Sequence, residues 1–409
     1  MSHTKHILFV DAEQRALEAI EQVLHRDSYR WNLSFASDGE SALELLETDT
    51  VDVLVTELAL PRLDGVQLLE SARQLHPDSI RIVFSGEVEL HRILQSSAVA
   101  HQALAKPASP RQVRQAIERA SQVHEALGTE ACRRLVSGAD GLPMVPSIYS
   151  KLVCTLANPN ASMQQVADVI SEDVSLCAQI LRLVNSAFFG LAREVTTVGD
   201  AIRYLGPAVV RDLVLSEEAY RLVAHGSQQA NAIIESVRRH SRMTAKVARK
   251  LVSSPELAEQ AFLAGMLHQV GTLLLAARGE DIESLERPAR ADAPSAGGGL
   301  IARRKEPELD HFRLGAYLLG LWGLPAAIVE TVAECSDPSI SASTHAELIA
   351  AVHVAHRVIA NVLPAHDGSE PVYEAPRLYC LERLGLPDAH ELTASVRAQI
   401  SVQSMETRS

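Results

Sequence analysis

The chain has 409 residues, 47% of them hydrophobic and 22% charged, which predicts two or three globular domains and excludes a disordered protein. Its 51 acidic residues outnumber its 38 lysines and arginines, and the net charge of −13 excludes an overall cationic surface for nucleic acid. Only 4% of the residues are aromatic, which favours helices packed through aliphatic side chains over an all-β fold.

The features that report on cellular compartment predict a cytoplasmic protein. The five cysteines are scattered without CxxC or Cys/His zinc spacing, so we expect reduced, mostly buried thiols. The first residues, MSHTKHILFVDAEQ, lack the long apolar run after a basic flank that marks a secretory signal peptide. We find no run of about 18 uncharged apolar residues, so no membrane span is expected.

The first 120 residues alternate between short apolar runs and helical patterns. Predicted strands cover residues 6–10, 31–36, 51–58, 80–86 and, more weakly, 103–106. Predicted helices cover residues 14–25, 39–47, 65–75, 88–97 and 110 to about 127. Strands that alternate with helices indicate parallel pairing, and near-continuous apolar strands indicate burial on both faces. The sequence therefore predicts an α/β domain with a doubly wound, five-stranded parallel sheet.

The rest of the chain shows helical patterns alone. They are separated by proline, glycine and asparagine, and lie at residues 147–156, 163–170, 174–186, 231–251, 256–277, 310–322, 325–334, 345–362 and 388–402. Residues 286–307 contain Pro288, Pro294 and three consecutive glycines, and this composition predicts a long loop. We therefore expect an all-α domain with a helical carboxyl-terminal extension.

The segment from residue 110 to about residue 135 is predicted to be one continuous helix that links the two halves. Its apolar positions follow helical spacing and are Val113, Ile117, Ala120, Val123 and Leu127. Two interpretations stay open for this stripe. It either forms the seam of a homodimer or covers the sheet of the first domain.

Polar residues stand at the carboxyl ends of the predicted strands, where the functional residues of parallel α/β domains lie. They are Asp11, Glu57, Ser85 and Lys106, accompanied by the turn LPRLDG at 60–65. This ordered set, over about residues 5–122, resembles the receiver domain of response regulators. The resemblance implies phosphoryl transfer to an aspartate after the third strand, with Mg²⁺ held by paired acids after the first strand. It also implies that a Ser/Thr and a lysine hold the phosphoryl oxygens.

Three positions depart from the receiver pattern. The second acid is Ala12, the phosphoacceptor is Glu57, and the aromatic switch residue is Ala103, whereas Ser85 and Lys106 match. We therefore expect no working phosphoacceptor. One interpretation is that the Glu57 carboxylate imitates a phosphoryl group, and the other is that it forms an ordinary ion pair with Lys106 in a decayed site.

The helical half carries a second resemblance. Its motifs are LPMVPSI (142–148), DVSLCAQILRLVNSAFFG (173–190), VGDAIRYLGP (198–207), HSRMTAKVARKL (240–251), AFLAGMLHQVGTLLL (261–275) and LGAYLLGLWGLP (314–325). They resemble the HDOD domain of the HD superfamily. Catalytic HD proteins bind a divalent metal through a His, a His-Asp pair and a later Asp, which activates water on a phosphate ester. The matching positions here are His240, His268, Gln269 and His356.

The loss of both aspartates implies a non-catalytic domain that binds no metal and needs no cofactor. Packed helix histidines are the alternative interpretation of His240 and His268. The two resemblances divide the chain into a receiver-like domain (5–122), a helical linker (123–135), an HDOD domain (136–335) and a helical extension (336–409).

These features favour a non-catalytic bacterial signalling adaptor, with a phosphorylation-independent receiver-like domain coupled to a protein-interaction domain. The expected partners are other signalling proteins, such as kinases, cyclic-dinucleotide proteins or motility proteins, and direct contact with nucleic acid or membrane is not expected. The alternative hypothesis is a metal-dependent HD-type phosphohydrolase acting on a nucleotide or cyclic dinucleotide. A transcriptional regulator is disfavoured because no helix-turn-helix with a basic recognition helix is evident.

Overall fold

The structure of the chain is a computed structural model with two compact units. The first unit contains residues 1–225 and 317–329, and the second contains residues 226–316 and 330–409. The described residues are 4–24, 31–86, 96, 99–106, 108, 110–137, 152, 155, 162–185, 194–206, 210, 228–278, 310–338, 343–363, 375–386 and 388–406. The predicted loop at 286–307, and nearly all of the predicted helices at 88–97 and 147–156, lie outside these residues.

The first unit is built around a five-stranded parallel sheet. Its strands are β1 (Lys5–Val10), β2 (Trp31–Ala36), β3 (Val53–Thr56), β4 (Ile80–Gly86) and β5 (Gln102–Lys106). Their order in the sheet is β2-β1-β3-β4-β5, and each neighbouring pair is parallel. The predicted doubly wound sheet is therefore confirmed. The strand predicted at 51–58 extends two residues beyond β3 at each end.

Helices flank this sheet. They are α1 (Gln14–Leu24), α2 (Gly39–Thr48), α3 (Gly65–Leu75) and α4 (Pro110–Leu127), with α1 beside α4 and α2 beside α3. Buried aliphatic side chains, among them Leu8, Leu54 and Leu68, fill the core between sheet and helices. This packing fixes the carboxyl ends of β1, β3, β4 and β5 next to one another.

The turn between β3 and α3 holds the end of β3 in place. The backbone N–H of Gly65 donates to the Leu58 carbonyl at 3.0 Å, and the Asp64 side chain caps α3. A Cβ atom on Gly65 would lie 2.1 Å from the Glu57 carbonyl oxygen, so only glycine fits there. The turn therefore fixes the direction in which Glu57 leaves the sheet.

The predicted continuous helix from 110 to about 135 is wrong in one respect. α4 ends at Leu127, and a separate helix, α5 (Glu130–Ser137), begins after a break at Gly128 and Thr129. The Thr129 hydroxyl accepts from the Cys132 N–H at 3.2 Å, as an N-cap residue does, and this starts a new helix that periodicity does not reveal.

The apolar stripe of α4 is used within the first unit. Val113, Ile117 and Ala120 are almost completely buried there. Their burial matches the interpretation in which the stripe covers the sheet. Two further helices of the first unit are α6 (Met163–Ile170) and α7 (Val174–Asn185).

The regular elements among the described residues of the second unit are all helices. Its helices are α8 (Gln228–Leu251), α9 (Pro255–Leu267), α10 (Val270–Arg278), α11 (His311–Leu321, shared with the first unit), α13 (Ala346–Ala360), α14 (Leu378–Arg383) and α15 (Ala389–Glu406). α12 (Ala326–Ala333) lies across the other boundary of the two units. α8 packs against α9 and α13. The single helix predicted at 256–277 is divided at His268 and Gln269, which form a turn.

The stretch Pro255–Arg278 is, among the described residues, the one that is long and apolar enough to cross a membrane. Of its most apolar window, 83% is buried inside the structure. At Gly265 a Cβ atom would lie 2.6 Å from the Ala245 Cα, so α9 and α8 approach closely. The apolar side chains of this stretch therefore serve helix packing within the second unit.

The described cysteines are buried and form no disulfide with one another: Cys132, Cys177, Cys335 and Cys380. Burial raises the thiol pKa of both Cys177 and Cys335, which keeps these thiols protonated at neutral pH. These residues therefore behave as small apolar core residues, in line with the expectation from their spacing.

Candidate functional site

The carboxyl edge of the sheet brings together the four residues that the receiver pattern singled out. They are Asp11 after β1, Glu57 after β3, Ser85 near the end of β4 and Lys106 at the end of β5. We call this group the acidic pocket. All four are buried or half-buried, with side-chain exposures of 4% for Asp11, 10% for Glu57 and 22% for Lys106.

Lys106 forms ion pairs with both carboxylates of the acidic pocket. Its Nζ lies 2.6 Å from Oδ2 of Asp11 and donates a short hydrogen bond to Oε2 of Glu57. Burial alone would lower the pKa of Lys106, but hydrogen bonds and charge from the two carboxylates raise it above its ordinary value. The ammonium group is therefore charged and doubly engaged at neutral pH.

Glu57 has three hydrogen-bond donors around its carboxylate. Besides Lys106, the backbone N–H of Leu58 donates to Oε1 at 2.7 Å, and the Ser85 hydroxyl also hydrogen-bonds the carboxylate. Burial would raise the pKa of Glu57, but these hydrogen bonds and the charge of Lys106 hold it below its usual value. Glu57 is therefore an ionised carboxylate over the physiological pH range.

The positions that depart from the receiver pattern supply no replacement groups. Ala12 is exposed at the start of the β1–α1 loop, and Ala103 is packed in the core of the sheet. The carboxylate of Asp11 also accepts from the Glu13 N–H at 2.9 Å. Ala12 replaces one acid of the receiver pattern, and the two remaining carboxylates, Asp11 and Glu57, are paired with Lys106. The acidic pocket therefore does not fit the Mg²⁺ ion that the resemblance implies.

A second group of polar side chains lies inside the second unit. It consists of His240 on α8, His268 in the turn between α9 and α10, and His356 on α13, and we call it the histidine cluster. Each histidine contributes one ring nitrogen, and these three atoms lie within 4.8 Å of one another. Among the described residues, this is the group that offers metal-ligand chemistry, and it contains no carboxylate.

Nδ1 of His356 is the centre of the histidine cluster. It lies 3.1 Å from Nε2 of His240 and 3.1 Å from Nε2 of His268. On the far side of the His268 ring, Nδ1 lies 2.6 Å from the Gly265 carbonyl oxygen. Burial, followed by the nearby His240 and His268, lowers the pKa of His356 well below its ordinary value, so His356 is neutral at physiological pH.

Gln269, where catalytic HD proteins have an aspartate, is buried in the same turn as His268. Its side chain is neutral, so it does not supply the anionic ligand that a hydrolytic metal pair needs. The histidine cluster therefore has neutral nitrogen ligands at the positions where catalytic HD proteins have a mixture of nitrogen and carboxylate ligands.

Two aromatic residues beside these groups were missed in the sequence. The Phe84 ring lies under Lys106, with Nζ 5.3 Å from its centroid, and Phe312 packs edge-on to His356 with ring centroids 5.2 Å apart. Phe84 immediately precedes Ser85, so the strand pattern held a signal for it. Phe312 is far from the residues of the histidine cluster in sequence, and no sequence pattern predicted its position beside them.

Comparison with known families identifies both parts of the chain. The model for the response regulator receiver domain matches residues 7–118, and the model for the HDOD domain matches residues 142–338. Each match covers one of the regions in which the sequence motifs were found.

Individual relatives are distant or partial. An uncharacterized protein of Treponema pallidum (strain Nichols) is 23% identical over 251 residues, which are 61% of this chain and 47% of that protein. The alkaline phosphatase synthesis transcriptional regulatory protein PhoP of Bacillus subtilis (strain 168) is 34% identical over 112 residues, 27% of this chain and 45% of that protein. The chain thus spans just under half the length of these curated relatives.

Solved structures with similar folds include two bacterial examples. The MmoQ response regulator of Methylococcus capsulatus str. Bath is 22% identical, with 63% of this chain and 98% of that chain covered and a TM-score of 0.46. The signal receiver domain of an HD domain-containing protein from Pseudomonas fluorescens Pf-5 is 28% identical, with coverages of 30% and 99% and a TM-score of 0.29. The two family matches show that the chain contains a response regulator receiver domain followed by an HDOD domain.

Proposed function

We propose that this response regulator works without phosphorylation of its receiver domain and that its HDOD domain acts by binding proteins, not by catalysis. The observation that carries the proposal is the double ion pair of Lys106 with Asp11 and Glu57. The lysine that would hold a phosphoryl group is already engaged by two carboxylates of the chain itself.

Charge argues against phosphorylation of the acidic pocket. Two carboxylates and one ammonium group already leave it with a net negative charge, and a phosphoryl group would add about −1.5 to −2 more. In receivers a divalent cation offsets that charge, but here the second acid that would help to bind it is Ala12. Phosphorylation would therefore add charge to a half-buried site that cannot neutralise it.

The contacts of Glu57 support the interpretation that it takes the place of a phosphoryl group. Its carboxylate reaches both Lys106 and Ser85, the residue types that hold phosphoryl oxygens in the family. A carboxylate has less charge and fewer acceptor atoms than a phosphoryl group, so it is a weaker substitute. We propose that the receiver domain is held in one conformation and serves as a constant docking surface.

Treatment with radiolabelled acetyl phosphate and Mg²⁺ tests this proposal. We expect no label on the wild-type chain, because the aspartate nucleophile is replaced by Glu57 and one metal ligand by Ala12. The double variant Ala12→Asp/Glu57→Asp restores both groups and is the matched comparison, expected to take up label. Rapid, Mg²⁺-dependent labelling of the wild type that disappears in Glu57→Gln would contradict the proposal.

The convergence of the three histidines raises a second candidate function, a metal-dependent phosphohydrolase. This function needs anionic ligands to hold a metal pair and a bound hydroxide, and the described ligand atoms of the cluster are all imidazole nitrogens. We therefore propose that the HDOD domain is not an enzyme.

The hydrolase hypothesis is tested with bis(p-nitrophenyl) phosphate and cyclic dinucleotides in the presence of Mn²⁺ or Zn²⁺. We expect no turnover by the wild type, and the variant Gln269→Asp/His356→Asp, which restores the missing carboxylates, is assayed beside it. Turnover by the wild type that is lost in His268→Gln would establish the enzyme and remove the non-catalytic proposal.

The proposed partners are other signalling proteins, which receiver domains generally contact, and the proposed location is the cytoplasm. The net charge of −13 supports a protein partner over nucleic acid. A pulldown from native lysate with the full chain identifies the partner, and the receiver surface is implicated when Glu57→Gln changes what is recovered.

A further inference from the structure

We propose that His240, His268 and His356 form a binding site for one divalent transition-metal ion of borderline softness, with Zn²⁺ as the first candidate. This goes beyond the proposed function, which assigns no ligand to the HDOD domain. It also departs from the expectation, drawn from the sequence, that the domain binds no metal.

The distances between the ring nitrogens suit a shared metal ion. Zn²⁺ binds histidine nitrogens at about 2.0–2.1 Å, so two such nitrogens on a tetrahedral ion lie about 3.4 Å apart. The two nitrogen pairs that include Nδ1 of His356 are each 3.1 Å apart, and the remaining pair lies within 4.8 Å. Small side-chain rotations would thus bring all three atoms to ligand distance.

The positions of the hydrogens on the imidazole nitrogens also support a metal ion at this site. The carbonyl oxygen of Gly265 can only accept, so Nδ1 of His268 carries the hydrogen and its Nε2 presents a lone pair. Nδ1 of His356, like any imidazole nitrogen, has either one hydrogen or one lone pair, yet it faces ring nitrogens on two sides. Hydrogen bonding therefore cannot satisfy both 3.1 Å contacts in a linear geometry, whereas a metal ion would use all three lone pairs.

The surroundings of His268 resemble those of a metal ligand. A histidine that binds a metal commonly donates its other N–H to a carbonyl or carboxylate, which fixes the tautomer and ring orientation. Gly265 supplies that carbonyl at 2.6 Å. The Phe312 ring packs 6.1 Å from His268 and 5.2 Å from His356, centroid to centroid, so an apolar ring borders the site.

The ligand type selects the class of metal. Imidazole nitrogens suit Zn²⁺, Cu²⁺, Ni²⁺ and Co²⁺, whereas Mg²⁺, Ca²⁺ and Mn²⁺ prefer carboxylate and carbonyl oxygens. The absence of a carboxylate from the described ligand atoms therefore disfavours the ions that support phosphoester hydrolysis in a carboxylate-rich site. A single ion would join α8, the α9–α10 turn and α13, and would make the stability of the second unit depend on metal supply.

The experiment uses the full chain, stripped with EDTA and then dialysed against ZnSO₄ or CoCl₂. We expect one metal ion per chain by plasma mass spectrometry, and visible d–d absorption of a tetrahedral or five-coordinate Co²⁺ complex. At a free Zn²⁺ concentration of 100 Kd we expect the thermal midpoint of the second unit to rise by roughly 5 °C. Mg²⁺ at the same concentration is expected to leave the midpoint unchanged.

The variants His240→Gln, His268→Gln and His356→Gln each remove one ligand from a different helical segment. We expect each to lose the stoichiometric ion while the far-UV circular dichroism stays that of the wild type. The matched control is His345→Gln at the amino-terminal cap of α13, whose half-exposed ring contacts Glu330 and not the cluster. It is expected to keep the ion.

Two results would overturn the proposal: no stoichiometric metal on the wild type, or metal retained equally by all three cluster variants. If a variant fails to fold, X-ray absorption on the Zn²⁺-loaded wild type decides, since three imidazole ligands are expected and fewer than three would reject the site. None of these readouts depends on phosphorylation or turnover, so the proposed function and the metal site can fail separately.

Discussion

The variant Lys106→Met is expected to lower the free energy of unfolding of the receiver domain by about 3 kcal/mol at neutral pH, because one partner of a buried ion pair is removed. The substitution leaves Asp11 and Glu57 facing each other with exposures of 4% and 10% and no cation between them. Methionine keeps most of the side-chain volume and its contact with Phe84, so the loss reports on charge and not on packing.

Urea unfolding followed by tryptophan fluorescence measures this effect selectively. The two tryptophans of the chain, Trp31 and Trp322, both belong to the first unit. Their signal therefore follows the unit that contains the acidic pocket.

A matched double variant separates the charge effect from other causes. Lys106→Met/Glu57→Gln removes one carboxylate together with the ammonium group, and we expect it to recover most of the lost stability. If the double variant is as unstable as Lys106→Met, the loss does not come from facing carboxylates.

The effect of Lys106→Met should depend on pH in a defined direction. In the wild type the pKa of Glu57 is lowered, so its stabilising contribution is present above the unfolded-state value of 4.5 and is lost as the pH falls through the folded-state value. In the variant, protonation of one carboxyl group relieves the repulsion. The difference between the two proteins is therefore expected to shrink as the pH falls toward 4.5 and below, and a constant difference would contradict this account.

Gly271→Ala is expected to destabilise the second unit by about 3 kcal/mol, although alanine normally stabilises a helix relative to glycine by about 1 kcal/mol. Gly271 is the second residue of α10, and a Cβ atom there would lie 1.9 Å from the His311 carbonyl oxygen and 2.9 Å from the Gly315 nitrogen. Both contacts are with backbone atoms, so α10 and α11 would have to move apart.

Gly199→Ala is the matched control. Gly199 is also the second residue of a helix, at 198–206, and a Cβ atom there would meet nothing within 4 Å. We expect this control to be neutral or slightly stabilising. Thermal unfolding followed by far-UV circular dichroism compares the two variants, and equal midpoints would show that α10 and α11 do not depend on close backbone contact.

Local sequence patterns were enough to predict most helices and strands. The apolar runs of β1, β2 and β4 and the helical spacing of α3 and α6 depend on neighbours along the chain, and their predicted bounds agree with the structure within a residue. The same patterns placed Asp11, Glu57, Ser85 and Lys106 at one edge, because parallel strands align their carboxyl ends. The loss of the second acid at Ala12 and of the aromatic switch residue at Ala103 could also be predicted from the sequence alone.

Only the tertiary structure decided how the side chains at both sites are paired. The sequence offered a Glu57–Lys106 ion pair as one interpretation, but it did not show that Lys106 also pairs with Asp11. Nor did it show that Nδ1 of His356 lies 3.1 Å from both His240 and His268. The turn at His268 and the grouping of residues 317–329 with the first unit are likewise not predicted by periodicity, whereas the break at Gly128 has a local cause in the cap at Thr129. The periodicity of the sequence predicts which face of a helix or strand is apolar. Which segment packs against that face is determined only by the tertiary packing of the core.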